Sequence, residues 1–238
     1  MSRKAPAASS GKRRSWLRWL ALALLALLVL PIAQVGCVRW IDPPGTPLML
    51  LRKVEAKLEH RAVPQTHFAW LDYSRIPRDF IRCVLTSEDQ RFFTHDGFDW
   101  KEIEVAQREA ARKKKPVRGA STISMQCARS LFLWQGRSWI RKGLEAYYTF
   151  WMEALLSKRR ILELYCNVIE LGDGVYGVEA GAQHHFRRSA ANLTREQHAT
   201  LAAILPNPRV WNPRTPTAKV AARRAKILRR EPALRVPL

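Results

Sequence analysis

Cysteine is scarce in this 238-residue chain, and the patterns that would give it metal or redox work are missing. Cys37, Cys83, Cys127 and Cys166 form no C-x-x-C pair and have no histidine at zinc-site spacing, so no metal and no cofactor is expected. Cys83 and Cys166 sit in apolar helical contexts, where cysteine acts as a small buried hydrophobe, and no essential disulfide is expected. Strand-like alternation is also rare, internal repeats are absent, and low-complexity sequence is confined to the ends. Acidic residues are few: 20 Asp and Glu stand against 41 Lys and Arg, for a net charge of +21. That balance calls for an anionic partner, which physically means nucleic acid, an anionic lipid surface or a phosphorylated substrate. The basic residues form no nucleic-acid recognition module, which makes nucleic acid the weakest of the three. The length leaves no room for a second catalytic domain beside one substantial core.

One long apolar run is present. Residues 19–38, from Trp19 to Val38, carry no charge and one strongly polar side chain, Gln34, over a length that spans hydrocarbon. Arg3, Lys4, Lys12, Arg13, Arg14 and Arg18 precede it within a basic segment, 1–18. The positive-inside rule then puts the N-terminus in the cytoplasm and everything after Val38 outside it, in the periplasm or cell exterior, as a single-pass protein; an inner-membrane anchor with a periplasmic catalytic part is the expected placement. A cleaved signal peptide is the competing reading, but the run is long for one and no small-x-small site ends it. Residues 39–59 read as a proline-containing connector and first helix, 60–215 as the globular domain, and 216–238 as a basic C-terminal tail. Helical spacing recurs over 49–59, 76–86 and 139–171, the last interrupted once, and Thr194 with Gln197 forms a capping box for a further helix. The expected fold is mainly α.

The chemistry concentrates in SEDQRFFTHDGFD, residues 87–99. Glu88 and Asp89 leave the end of an apolar helix at a polar turn containing Gly97, where carboxylates become acid/base candidates. Three further motifs follow in order: GASTISMQ at 119–126, RKGLE at 141–145 and KRRILELYCN at 158–167. Together they resemble the peptidoglycan glycosyltransferases of family 51, and the wording between them is most similar to the monofunctional biosynthetic transglycosylases. The first motif matches E-D-x-x-F-x-x-H-x-G at Glu88, Asp89, Phe92, His95 and Gly97. The second departs from G-G-S-T-I-T-Q-Q-x-x-K-N at Ala120, Met125, Arg129 and Ser130; Arg129 keeps the charge of the family's lysine.

This resemblance implies a lysozyme-like helical domain with a small membrane-adjacent lobe, and an inverting hexosyltransferase that polymerises lipid II into β-1,4-linked glycan and releases undecaprenyl diphosphate. It implies Glu88 as general base and Glu145 as a second catalytic carboxylate assisting at the donor side. Asp89, Ser121, Thr122, Gln126, Arg129, Arg141, Lys142 and Lys158 are the implied substrate-binding residues, with Phe92, His95, Gly97, Tyr165 and Asn167 supporting them. The implied partners are lipid II and the growing lipid-linked chain, with anionic membrane lipids and cell-wall synthesis or division proteins as further candidates. Taken without the resemblance, Arg141 and Glu145 are an i,i+4 ion pair worth roughly 0.2–0.5 kcal/mol, and Lys158 is a solvated helix-face cation. Residues 101–118 read either as a mobile flap or as a surface loop with solvated charge. His95 has no evident metal-ligating neighbour. A lysozyme-like hydrolase and a catalytically degenerate membrane scaffold are the alternative functions.

Overall fold

A computed structural model describes residues 10–114, 116, 119–136, 138–234 and 236–237, without the side chains of residues 10–15 and 24. Arg3 and Lys4, the side chains of Lys12, Arg13 and Arg14, and Arg118 and Arg235 of the sequence reading lie outside the described residues.

The apolar run forms the long helix α1, Ser10–Trp40. Trp16–Trp40 is long and apolar enough to cross a membrane. Thr46 and Pro47 then open α2, Pro47–Leu58, proline at the first turn being tolerated because that N–H has no helical partner. Helix α3, Arg78–Glu88, buries Phe80, Ile81, Val84 and Leu85 and ends on the motif carboxylate, as its apolar pattern requires. Full burial of such side chains contributes roughly 1.5–3 kcal/mol each.

Residues 101–113 are helical and not a surface loop. Asp99 accepts a hydrogen bond from the Glu102 backbone N–H and caps α4, Trp100–Lys113, which buries Ala106. Thr122 caps α5, Ile123–Phe132. The expected long helical block is interrupted once, between α6, Trp139–Leu155, and α7, Lys158–Val168, where Leu156 is extended and Ser157 caps the new helix. A small sheet joins β1 (His67–Phe68), β2 (Glu170–Gly172) and β3 (Val175–Tyr176) in the order β1-β3-β2, parallel on one side and antiparallel on the other. With Leu48 and Met49 of α2, Tyr176 makes a minor core of its own.

Helix α8, Val178–Phe186, starts after Gly177, whose φ of +83° and closeness to the Asn167 carbonyl (2.5 Å from a notional Cβ) leave no place for a side chain. Helix α9, Arg195–Ile204, carries the expected Thr194–Gln197 capping box. The basic segment after 215 contributes α10, Ala218–Arg230, which packs on α9 and α3. Val220 and Ile227, two turns apart on one face, are buried there. Glu231 closes the arrangement by accepting hydrogen bonds from Arg82 of α3 and Arg195 of α9. A main core of helical side chains thus surrounds α3, α5, α7 and α9, and it extends to Val35 and Val38 of the membrane helix.

Candidate active site

Glu88 stands where α3 runs out, with its side chain mostly covered. Three donors meet its carboxylate. Gln126 Nε2 reaches Oε2 at 3.1 Å, while Ser87 Oγ at 3.1 Å and an Arg223 guanidinium N–H at 3.3 Å reach Oε1. Gln126 is itself held by Tyr165, whose hydroxyl donates to Oε1 at 3.3 Å. Tyr165 is fully buried. That burial, with Glu88 nearby, pushes its phenol well above the ordinary range, so it remains a donor.

Two cavities meet across this hydrogen-bonded pair. One, of about 860 Å³, is walled by Glu88, Arg91, Ser121, Thr122, Arg223 and Lys226, among others. The second, of about 590 Å³, is walled by Gln126, Arg129, Ser130, Tyr165, Arg52 and Arg209, among others. The groups of the second motif are therefore divided: Ser121 and Thr122 share a cavity with Glu88, and Gln126 and Arg129 face the other. Of the departures from the family pattern, Met125 is buried and lines neither cavity, Ala120 lines the first and Ser130 the second.

The remaining residues of the first motif build the turn. Asp89 is buried and accepts from His95 Nε2 and from the Ile123 backbone N–H, each at 3.0 Å, so it ties the turn to the start of α5. The Gly97 N–H donates to His95 Nδ1 at 3.2 Å, which leaves the proton on Nε2, facing Asp89. Thr122 Oγ1 donates to the Gly97 carbonyl at 2.6 Å. Gly97 has φ +86°, and a Cβ there would stand 2.7 Å from Thr149 Cγ2 and 3.0 Å from Glu153 Cγ. Phe92 is buried beneath Lys158, whose ammonium lies 4.5 Å from the ring centroid. Contrary to the sequence reading, His95 does have metal-ligating neighbours: its ring and the carboxylates of Asp89 and Asp99 come within 4.8 Å of one another. Each is already engaged, Asp99 by Arg91 at 2.6 and 2.9 Å and by its helix cap.

Glu145 has no exposed surface, and its two oxygens pair with Arg141 and Lys142. The ion-pair reading of Arg141 and Glu145 therefore holds in the fold, and Glu145 meets cations rather than open space. Arg141 also donates to the Gly136 carbonyl at 2.8 Å, whereas Lys142 reaches Ser121 Oγ at 3.3 Å and so touches the rim of the Glu88 cavity. Lys158 donates to the His95 carbonyl at 2.5 Å and pairs with Glu153 at 2.8 Å, bracing the turn from below. Asn167 bridges the Leu71 backbone N–H and carbonyl, each at 2.8 Å, and lines neither cavity.

Sequence reasoning missed three participants. Arg223 comes from a basic helix 135 residues beyond Glu88. Glu153 gathers Ser124 and Lys158 under the turn. Arg52 of α2 bonds Glu55 at 2.7 Å and Glu170 at 2.8 Å in the wall of the second cavity. None lies in a motif, and the one available signal was the i,i+3 charge pair of Arg52 and Glu55.

A family model described as Transglycosylase matches residues 56–231. Curated relatives bearing the name biosynthetic peptidoglycan transglycosylase are similar over nearly the whole chain. That of Xanthomonas euvesicatoria pv. vesicatoria is 45% identical over 232 residues, covering 98% of this chain and 93% of the relative. That of Xanthomonas axonopodis pv. citri is 46% identical over 223 residues, 94% and 90% of the two chains. That of Rhodospirillum centenum is 44% identical over 214 residues, 90% of each.

Proposed function

The chain belongs to the transglycosylase family, and from that premise we propose how its two cavities divide the work of extending peptidoglycan. It is a lysozyme-like, mainly helical glycosyltransferase that polymerises lipid II into glycan strands, and the N-terminal helix is suited to anchor it in a membrane. In our reading the acceptor enters the cavity of Glu88 and presents its sugar 4-hydroxyl to that carboxylate. Glu88 takes the proton as the oxygen attacks the anomeric carbon of the lipid-linked chain. The new C–O bond forms as the bond from that carbon to the pyrophosphate breaks, the electron pair leaves with the pyrophosphate, and the single displacement inverts α to β. The donor chain runs along Arg129 on the far side of Gln126 and brings its pyrophosphate to the Ser121 rim of the Glu88 cavity, which Lys142 touches. Lys142 and Arg141 meet the charge that develops on the leaving group, and Glu145 acts by keeping these two cations in place.

The observation that carries this reading is the Gln126–Glu88 hydrogen bond at the junction of the two cavities, which gives each of two large substrates its own space beside one base. A hydrolase built on Glu88 and Glu145 would need both carboxylates at the sugar. Glu145 is enclosed. The test is labelled lipid II with detergent-solubilised protein, scored for high-molecular-weight glycan beside Glu88→Gln. Loss of about 100-fold or more is expected for removal of a general base; polymer at the unaltered rate from Glu88→Gln would sink the assignment.

The basic residues ahead of α1 support an inner-membrane protein with its N-terminus in the cytoplasm and its catalytic part in the periplasm. Anionic headgroups are the surface partners its charge favours, and cell-wall synthesis or division proteins are partners in keeping with the reaction.

A further inference from the structure

The membrane helix touches the catalytic part at more than its end. Gln34, the one strongly polar side chain between Trp19 and Val38, accepts a hydrogen bond from the Tyr148 hydroxyl at 2.5 Å. Two turns earlier the Leu28 carbonyl accepts from the Tyr147 hydroxyl at 2.8 Å. Pro31 lies between these contacts, inside the helix. Proline supplies no N–H, so the Leu27 carbonyl, one position before the one that Tyr147 meets, loses its helical partner. A polar group on a span has few partners other than protein, which makes such contacts directional. One turn further on, Val35 and Val38 are buried in the main core.

Both tyrosines belong to α6, the helix that carries Arg141, Lys142 and Glu145. Tyr148 is one turn after Glu145 and shares its face. Its ring stacks on Phe132 at 4.5 Å and 11°, at the end of α5, the helix that carries Gln126. Tyr148 is thus gripped by α1 on one side and by the donor-motif helix on the other.

We propose that the membrane helix is a working part of the site: Gln34 and Tyr148 are positioning residues that fix the rotation of α6 at which Glu145 holds Arg141 and Lys142 toward the leaving group. This rests on the reading that those cations serve the donor. The Gln34 bond adds nothing to substrate contact, so its loss acts on turnover and leaves substrate affinity alone.

The test uses the full chain in vesicles of phosphatidylethanolamine and phosphatidylglycerol with labelled lipid II. Gln34→Leu and Tyr148→Phe are each expected to lower kcat about fivefold, one hydrogen bond's worth of free energy expressed as a rate. KM should stay within about twofold, and the double variant should be no slower than the slower single, because both act through one bond. Tyr147→Phe, which leaves Gln34 intact, gives a milder loss of the same kind if the Gln34 variant does not fold. Unchanged kcat in both singles, additive losses, or a change confined to KM would overturn the proposal. Lys142→Ala in parallel separates the two levels: if it is slow while Gln34→Leu runs normally, the coupling alone fails, and if it runs at full rate, the donor reading fails and the coupling with it.

Discussion

Tyr165 holds Gln126, and Gln126 holds Glu88: a buried phenol on α7 sets the direction of a carboxylate at the end of α3 through one amide. Because Tyr165 touches the base through another residue, Tyr165→Phe should slow polymerisation modestly, about fivefold. Gln126→Leu removes a donor to a charged acceptor and should slow it about 10- to 100-fold. Initial rates on lipid II check both, and equal losses would show that Tyr165 does more than position.

The motif glycine is required by space as well as by conformation. Gly97→Ala combines a positive φ with a contact of 2.7 Å to Thr149, so the turn must shift or Thr149 must give way. The expected cost is roughly 1–3 kcal/mol, read as a lower denaturation midpoint. Pairing it with Thr149→Ser, which removes the obstructing methyl, should recover part of that loss; no recovery would show that conformation alone is at fault.

Glu231 keeps α10 in place. Burial works against its charge, but the hydrogen bonds and charges of Arg82 and Arg195 outweigh that and pull its carboxyl below the ordinary range. Glu231→Gln should loosen α10 and, with it, the Arg223 contact to Glu88, so stability and polymerisation fall together. Because both arginines are partly in solvent, the stability loss should be about 1–3 kcal/mol, less than for a wholly buried pair. A destabilised variant with an unaltered rate at a temperature where it is folded would uncouple Arg223 from the base.

Two histidines predict the acid side of the stability curve. His185 and His198 are buried, their Nε2 atoms at 2.6 and 3.0 Å from the Leu171 and Ala190 carbonyls, and burial lowers the pKa of both rings. With folded values below the unfolded one, the unfolded chain takes up protons first. Their contribution is complete above about pH 6.5 and is lost as pH falls through that value toward the folded ones. Melting temperatures between pH 8 and 5 should begin to fall near 6.5. A curve flat down to the carboxylate range would remove these histidines from the account.

Local spacing placed the helices and caps that carry the motifs. A helix ending on Glu88, a cap at Thr122 and a capping box at Thr194 are local events, written in residues within a few positions of each other, and they fold as their spacing requires. What spacing does not state is which helix covers which. The periodicity of α10 marks Val220 and Ile227 as a buried face but is silent on the face opposite, and so Arg223 at the base came from outside the motifs. Glu145 shows the converse. Its spacing from Arg141 gave the ion pair correctly, yet the enclosure that leaves the carboxylate no exposed surface depends on packing between helices. The segment at 101–118 reads as a mobile flap or a surface loop because its charges hide the cap at Asp99 and the single buried alanine of α4.

Val35 and Val38 give the protein no seam at which to cut. They belong to the same core as the catalytic helices, although they lie on the helix that is suited to cross the membrane. A shortened chain that starts at residue 41 would leave an open apolar socket where they sat, and one that retains them must carry the greasy turns around Gln34. Water solubility and an intact core therefore pull the start of any trimmed form in opposite directions, and detergent will be needed even for a version that never meets a bilayer.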